Sequence, residues 1–381
     1  MKVLNVNSSL DPVTGGGTAE RTLQLSRALL EVDVDCSIMT TDFGFAGKSF
    51  TRLPELKNGR IVVYPCLFKK FYIPKIRFSE ICKEVKSVDI VHLMGHWSIL
   101  NALVYVAIRI CNKPYVVCPA GALPIFGRSK ILKKIYNWII GRRIIRNANA
   151  WIAITQDECK HFENYSIPSG SALIIPNGVN PTDFLVKNIN DFKTKYGIDS
   201  HPFVLFIGRL NIIKGPDLLL EAFIKGRYLW PNWHLVFAGP DGGLLSSLKK
   251  RAEASGIESR IHFVGYLGGS AKSSAYHAAD LLVIPSRQEA MSIVVLEAGI
   301  SGTPIILTDQ CGFNEISNTG SAIVSSATVD GLNQALSQMI KKADQLVAMG
   351  AVLKKFVSNK YTWSIAVKKY LDLYKQLLSK Y

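Results

Sequence analysis

Pro285–Gly299 reads PSRQEAMSIVVLEAG. It follows Leu281–Ile284, a continuous apolar run with the pattern of a strand buried on both faces. The chain then turns polar at Ser286, Arg287, Gln288 and Glu289. A helical pattern begins next, with Ser292 in the N-cap place and Ile293, Leu296 and Ile300 on one face. Glu289 therefore falls in the turn between strand and helix, and Glu297 lies inside the helix. In an open α/β sheet, ligands bind in the crevice beyond the carboxyl ends of the strands. Two carboxylates at different depths there can accept hydrogen bonds from a polyhydroxylated ligand, and the N–H groups of the helix start can hold an anion.

Outward from this stretch the chain keeps alternating. Lys2–Ser9, Val34–Thr41, Ile61–Cys66, Asp89–Met94, Tyr115–Cys118 and Ala150–Ile154 read as short strands with helical stretches between them. That alternation argues for a parallel, doubly wound sheet. IPNGVN (Ile175–Asn180) is a strong turn signal and places a domain boundary near residue 180. A short helix is expected over Asp191–Tyr196. A second series follows at Phe203–Ile207, Trp233–Ala238, Ile261–Val264 and Thr303–Thr308, with a helix expected to begin at CGFNEI (Cys311–Ile316). Two helical stretches close the chain, Val329–Val357 with a break near Met349-Gly350, and Thr362–Leu378. A length of 381 residues suits two domains, each with its own core.

Other strand ends carry chemistry. Gly15-Gly16-Gly17 lies between the first strand and its helix, where glycines let backbone N–H groups approach a phosphate; the other reading is a flexible loop. In GRLNIIKG (Gly208–Gly215), Arg209 and Lys214 are the cations nearest the strand end, where fixed cations can hold an anionic ligand; the other reading is two solvated loop side chains. His92 reads as a structural histidine. His96, beside Trp97 and past the strand end, is a candidate acceptor-site residue.

GRLNIIKG, FAGP (Phe237–Pro240), FVGYL (Phe263–Leu267), AYHAADLLVIPS (Ala275–Ser286), IPNGVN and the Glu-x7-Glu of Glu289 and Glu297 stand in one order. That ordered set resembles the retaining nucleotide-sugar glycosyltransferases of family 4, group 1. The resemblance covers nearly the whole chain. It implies a GT-B fold: two Rossmann-like, doubly wound parallel-sheet α/β domains facing a deep cleft. Residues 1–180 form the acceptor side, with a C-terminal helix (362–381) packing back on it, and residues 181–361 form the nucleotide-sugar side. It implies a retaining sugar transferase with Glu289, Arg209 and Lys214 at the reacting centre. Glu297 would accept from the ribose hydroxyls. Ala290, Met291, Ser292, Ile293, Gly208, Gly239 and Gly265 would line the donor, and the Gly15–Gly17 loop would face the donor phosphates and the acceptor. No metal or other cofactor is expected. Two departures stand out. Ala120 in CPAGAL (Cys118–Leu123) replaces the family's usual histidine, and Ala290 follows Glu289 where a glycine is usual.

The net charge of +16 calls for an anionic partner. Two basic stretches carry part of it, KKFYIPKIR (Lys69–Arg77) and GRSKILKKIYNWIIGRRIIR (Gly127–Arg146). The second reads either as a helix docking on an anionic bilayer or as an ordinary amphipathic helix with a solvated basic face. The first reading suits a lipid-linked or glycan acceptor in surface polysaccharide or glycolipid assembly. With no apolar h-region in MKVLNVNSSL, the expected location is cytoplasmic, peripheral on the inner face of the membrane. The seven cysteines show no metal spacing and read as reduced, mostly buried thiols. An epimerase or phosphorylase on the same fold is the alternative enzyme. A basic nucleic-acid-binding protein is a poorer fit, because no helix-turn-helix, RNP or zinc motif is present and two glutamates at a helix start would repel a phosphate backbone. No nucleic-acid partner is expected.

Overall fold

The computed structural model describes residues 1–11, 14–44, 59–68, 73–125, 129–168, 170–198 and 200–381. It divides into two units, Met1–Gly178 with Trp363–Tyr381, and Val179–Thr362.

The first unit holds β1 (Lys2–Ser9), β2 (Asp35–Thr41), β3 (Arg60–Tyr64), β4 (Cys66–Phe68), β5 (Ile73–Pro74), β6 (Ile90–Met94), β7 (Tyr115–Cys118), β8 (Ala150–Ala153) and β9 (Ala172–Ile174). Seven of these make one parallel sheet in the order β3-β2-β1-β6-β7-β8-β9, and β4 and β5 pair antiparallel beside it. Every residue of β6 and β7 is buried, which explains why those runs are apolar rather than alternating. The helix Trp363–Leu378 packs on the helix Gly16–Leu30. Buried Arg21 joins them: it donates to Tyr370 Oη at 2.6 Å, Asn177 Oδ1 at 2.6 Å and the Ile175 carbonyl at 2.9 Å. Its guanidinium also lies over the rings of Trp363 and Tyr370. His92 is buried and its Nδ1 lies 3.0 Å from Tyr374 Oη, a structural role.

The second unit holds β10 (Phe203–Ile207), β11 (His234–Ala238), β12 (Ile261–Gly265), β13 (Leu281–Ile284), β14 (Ile305–Thr308) and β15 (Ala322–Ser325). They form a parallel sheet in the order β12-β11-β10-β13-β14-β15. Strand order therefore reverses between β1 and β6 in the first sheet and between β10 and β13 in the second. Those reversals open the crevices in which doubly wound sheets bind ligands.

Several local expectations need correction. The break in the stretch after Val329 falls at residues 341–345, between the helices Val329–Ile340 and Leu346–Lys360. Gly350 does not interrupt the second helix; a side chain there would come within 1.9 Å of the Gly302 carbonyl, so the glycine serves close packing. The CGFNEI stretch leads into a 3-10 turn, Asn314–Thr319, instead of an α-helix. The basic-apolar stretch after Ser129 is three pieces: an α-helix Lys130–Tyr136, a π-turn Asn137–Gly141 and a helix Arg142–Arg146. Only three of the seven cysteines are buried; the other four are partly exposed. In the other basic stretch, Lys69–Tyr72 lie outside the described residues, as do Gly127 and Arg128.

Candidate active site

The carboxyl edge of the second sheet is built from two loops locked together. Arg287, just past β13, grips Asp217 with two bonds of 2.8 and 2.6 Å. Its Nη1 also donates to the Ile212 carbonyl at 2.6 Å, and its backbone N–H to the Ile213 carbonyl at 2.7 Å. Both carbonyls belong to the loop after β10. A bidentate guanidinium–carboxylate pair fixes direction as well as distance. The loop between β13 and the next helix is held from its other side by Thr308, whose hydroxyl donates to the Ser286 carbonyl at 2.5 Å. The Glu289 N–H donates to the Gln310 carbonyl at 2.8 Å.

This frame brings Lys214 and Glu289 together, with Nζ 2.9 Å from Oε1. The same Oε1 accepts from Ser286 Oγ at 2.5 Å. The Glu289 side chain is 9% exposed and that of Lys214 34%, so the ammonium forms the open side of the pair. Arg209 is half-buried at the end of β10 and its side chain packs against Gly242.

Ser292 does precede the helix Ile293–Ser301, but its hydroxyl makes no capping bond. Ser292 Oγ is fully buried with no hydrogen-bond partner, an orphan beside the N–H groups of the helix start. Met291 is buried, while Ala290 and Ile293 are half-buried. Glu297, one helical turn further in, is already engaged: Lys272 Nζ donates to Oε1 and Tyr276 Oη to Oε2, both at 2.6 Å. Lys272 and Tyr276 went unread in the sequence. Their four-residue spacing puts them on one face of the helix Gly269–Ala278, a signal too common to stand out. Burial beside the Glu297 carboxylate pushes the Tyr276 hydroxyl well above its ordinary pKa and keeps it a donor.

Gly239 has a structural reason. At φ +148, a side chain on it would sit 1.9 Å from the Gly208 carbonyl, so the ends of β10 and β11 close up only because Gly239 lacks one; a side chain on Gly208 would meet the Phe206 ring at 3.3 Å. Gly265, at φ +75, has nothing near its missing side chain.

The remaining candidates belong to the first unit. The triple glycine follows β1 at the strand-order reversal, and the helix Gly16–Leu30 starts inside it. The Gly15 N–H donates to the Asp11 carbonyl at 2.7 Å. His96 is only 2% exposed. Its Nε2 lies 2.9 Å from Asn137 Oδ1, and Trp97, Tyr136 and Tyr165 surround the ring edge to face. Burial pushes its pKa down to about 4, so it is a neutral imidazole near pH 7. Ala120 adopts φ +51 and Gly121 φ +85. The turn keeps a left-handed alanine, at a cost of about 1 kcal/mol. It is tied down where Gly121 N–H donates to Glu158 Oε1 at 2.5 Å, with the Ile154 N–H on Oε2 at 2.7 Å. Among the described residues, no group of three or more His, Cys, Asp or Glu side chains could hold a metal ion.

Each unit is thus a doubly wound parallel sheet, and in the second an ammonium–carboxylate pair lies at the strand-order reversal, where such sheets bind ligands. Residues 15–183 match the family described as Glycosyltransferase Family 4, and residues 188–356 match Glycosyl transferases group 1. The chain belongs to this glycosyltransferase family. An uncharacterized glycosyltransferase of Methanocaldococcus jannaschii is 29% identical over 55% of this chain and 55% of its own. A D-inositol 3-phosphate glycosyltransferase of Corynebacterium urealyticum is 28% identical over 63% of this chain and 59% of its own. The chain thus spans little more than half the length of these curated relatives. The crystal structure of the Anabaena protein HepE, in complex with UDP and glucose, superposes with a TM-score of 0.81. It covers 99% of this chain and 100% of that one at 16% identity, a likeness of fold: GT-B.

Proposed function

We propose that this protein transfers a sugar from a nucleoside-diphosphate sugar to a hydroxyl of a lipid-linked or oligosaccharide acceptor, with retention of the anomeric configuration. The observation that carries the reading is the 2.9 Å contact of Lys214 with Glu289 at the β10–β13 reversal. It sets a phosphate-binding cation against a hydroxyl-binding carboxylate, the two functions that meet where a sugar joins a diphosphate. Lys214 and Arg209 stabilise the diphosphate as the bond to the anomeric carbon breaks and negative charge grows on its oxygen. Glu289, with N–H groups of the helix start, holds the sugar hydroxyls, and Glu297 accepts from the ribose. The acceptor oxygen attacks on the face the diphosphate leaves, and its proton passes to the departing phosphate oxygen. Two fixed cations do the work a divalent ion does in other transferases, so the reaction proceeds without metal. HepE is described in complex with UDP and glucose, and the Corynebacterium relative is named for a phosphorylated acceptor; both fit this reading.

The acceptor's setting is an anionic membrane surface, on the cytoplasmic face, in surface polysaccharide or glycolipid assembly. Ile131, Trp138 and Ile139 stand 74%, 82% and 53% exposed, interleaved with the exposed cations Lys130, Lys134, Arg142 and Arg143. Basic residues around exposed apolar side chains suit a helix lying in the headgroup layer. No helix among the described residues is long and apolar enough to cross a membrane.

The direct test is incubation with UDP-, GDP-, ADP- and TDP-sugars plus a bacterial lipid extract in EDTA. The reading expects one nucleotide diphosphate to be released and the product's anomeric proton coupling to match the donor's. An inverted product would overturn retention, and no release from any donor would overturn the transferase reading.

A further inference from the structure

Lys272 is the more exposed side of an ion pair with Glu297. The Glu297 side chain is 8% exposed and that of Lys272 23%, while Tyr276 on the opposite oxygen is fully buried. Lys272 is held in place by its 2.6 Å bond to Glu297 Oε1 and by the ring of Phe184, 5.6 Å from its ammonium. Phe184 in turn packs edge to face on Tyr276. The ammonium is therefore a fixed neighbour of the carboxylate and not a wandering surface lysine.

A hydroxyl group is both donor and acceptor. A lone carboxylate meets only the first need; a carboxylate with an ammonium beside it meets both. Each carboxylate oxygen can accept two hydrogen bonds, and an ammonium has three N–H groups, so the pair can receive a hydroxyl while keeping its own bond. We propose that Lys272 and Glu297 together read the ribose diol of the donor nucleotide. One hydroxyl donates to Glu297 and accepts from Lys272, which makes the site selective for ribonucleotides over their 2′-deoxy forms. The inference rests on the donor reading above. It adds Lys272, which that reading does not use, as a specificity-determining residue. Its force comes from the burial: with the hydroxyl missing, two charged groups in a part-desolvated place lose a partner, and such sites discriminate well.

The test measures the binding of UDP, GDP and ADP, each beside its 2′-deoxy counterpart, to the full chain by calorimetry. The wild type should prefer the ribo form of the nucleotide it binds by roughly 10-fold or more, the worth of a hydrogen bond to a charged group. K272M should lower that ratio to the part that Glu297 alone still supplies by accepting from the hydroxyl, and K272R should restore most of it. A K272M variant that weakens ribo and deoxy forms equally, with the ratio kept, would make Lys272 merely structural and overturn the proposal. So would a wild type that binds a nucleotide without ribo preference. A wild type that binds none of the three would remove the donor reading itself, and this proposal with it. Thermal melting of each variant checks folding; should K272M not fold, K272Q keeps an uncharged donor of similar length and the same ratio decides.

Discussion

Lys214 and Glu289 leave the ends of different strands, β10 and β13, and meet through a 2.9 Å ion pair where the strand order of the second sheet reverses. The pair is asymmetric, with the carboxylate nearly buried and the ammonium one-third exposed. Replacing Lys214 with Met should lower kcat/KM for the sugar donor by about 100- to 1000-fold, the usual loss when a fixed charge-stabilising group is removed. Folding should suffer little, about 1 kcal/mol, because Ser286 still serves Glu289 and the lost partner was partly solvated. Urea denaturation alongside steady-state kinetics separates the two effects.

Gly239→Ala should be far more damaging to stability than its size suggests. The added methyl would lie 1.9 Å from the Gly208 carbonyl, at a φ of +148 that alanine rarely adopts. A loss of about 2 kcal/mol or more is expected from strain and displaced backbone. A denaturation midpoint equal to wild type would show that the two strand ends are not packed as described.

Docking on anionic membrane should depend on four particular cations. Lys133 lies over the Trp97 ring, and Arg146 donates to the Tyr165 carbonyl and to Ser166, so those two hold the fold. Changing Lys130, Lys134, Arg142 and Arg143 to Gln removes about 1 kcal/mol of attraction each. Together that should lower partitioning onto phosphatidylglycerol vesicles by roughly 1000-fold while melting stays unchanged. Trp138→Ala should weaken binding at high salt as well, since its share is apolar. Equal pelleting of the four-site variant and wild type would refute the docking surface.

His96 gives the first unit an acid limit. Its folded pKa, about 4, lies below the ordinary 6.5, so below pH 6.5 the unfolded chain takes up a proton that the folded one refuses. The stability this contributes is fully present above pH 6.5, falls as pH drops and is exhausted near pH 4. The window is worth about 3 kcal/mol. Urea midpoints at pH 7 and pH 5 should differ less in H96Q than in wild type. The same slope in both would show that His96 is not buried neutral.

Much of the fold could be read from periodicity, because fully buried parallel strands such as Leu281–Ile284 and Tyr115–Cys118 are short apolar runs between turn signals. Lys214 and Glu289 stand in the loops that follow two such runs, Phe203–Ile207 and Leu281–Ile284, and their motifs are legible by resemblance, whereas their pairing is not written in either loop. Other features need three dimensions. Nothing in the local pattern sets Arg21 against Asn177 and Tyr370, or Lys272 against Glu297, since each pairing joins elements 20 or more residues apart. His96 is instructive in another way. Its place past a strand end makes it a candidate acceptor contact in the sequence, yet Asn137 turns inward from a π-turn to cover it, and a helix pattern gives no warning of a π-turn. Gly350 read as a helix break because a glycine's role in close packing depends on the neighbour, here Gly302.

The most direct test of the central claim is a thermal-shift panel of UDP, GDP, ADP, TDP and CMP in EDTA, repeated with magnesium, on wild type and on the Lys214→Met variant. A metal-free donor site predicts a rise in melting temperature with one diphosphate, equal with and without magnesium and lost in the variant. At ligand about 100 times its dissociation constant the gain is about 2.7 kcal/mol. A shift that appears only with magnesium, or that survives loss of Lys214 undiminished, would contradict the account.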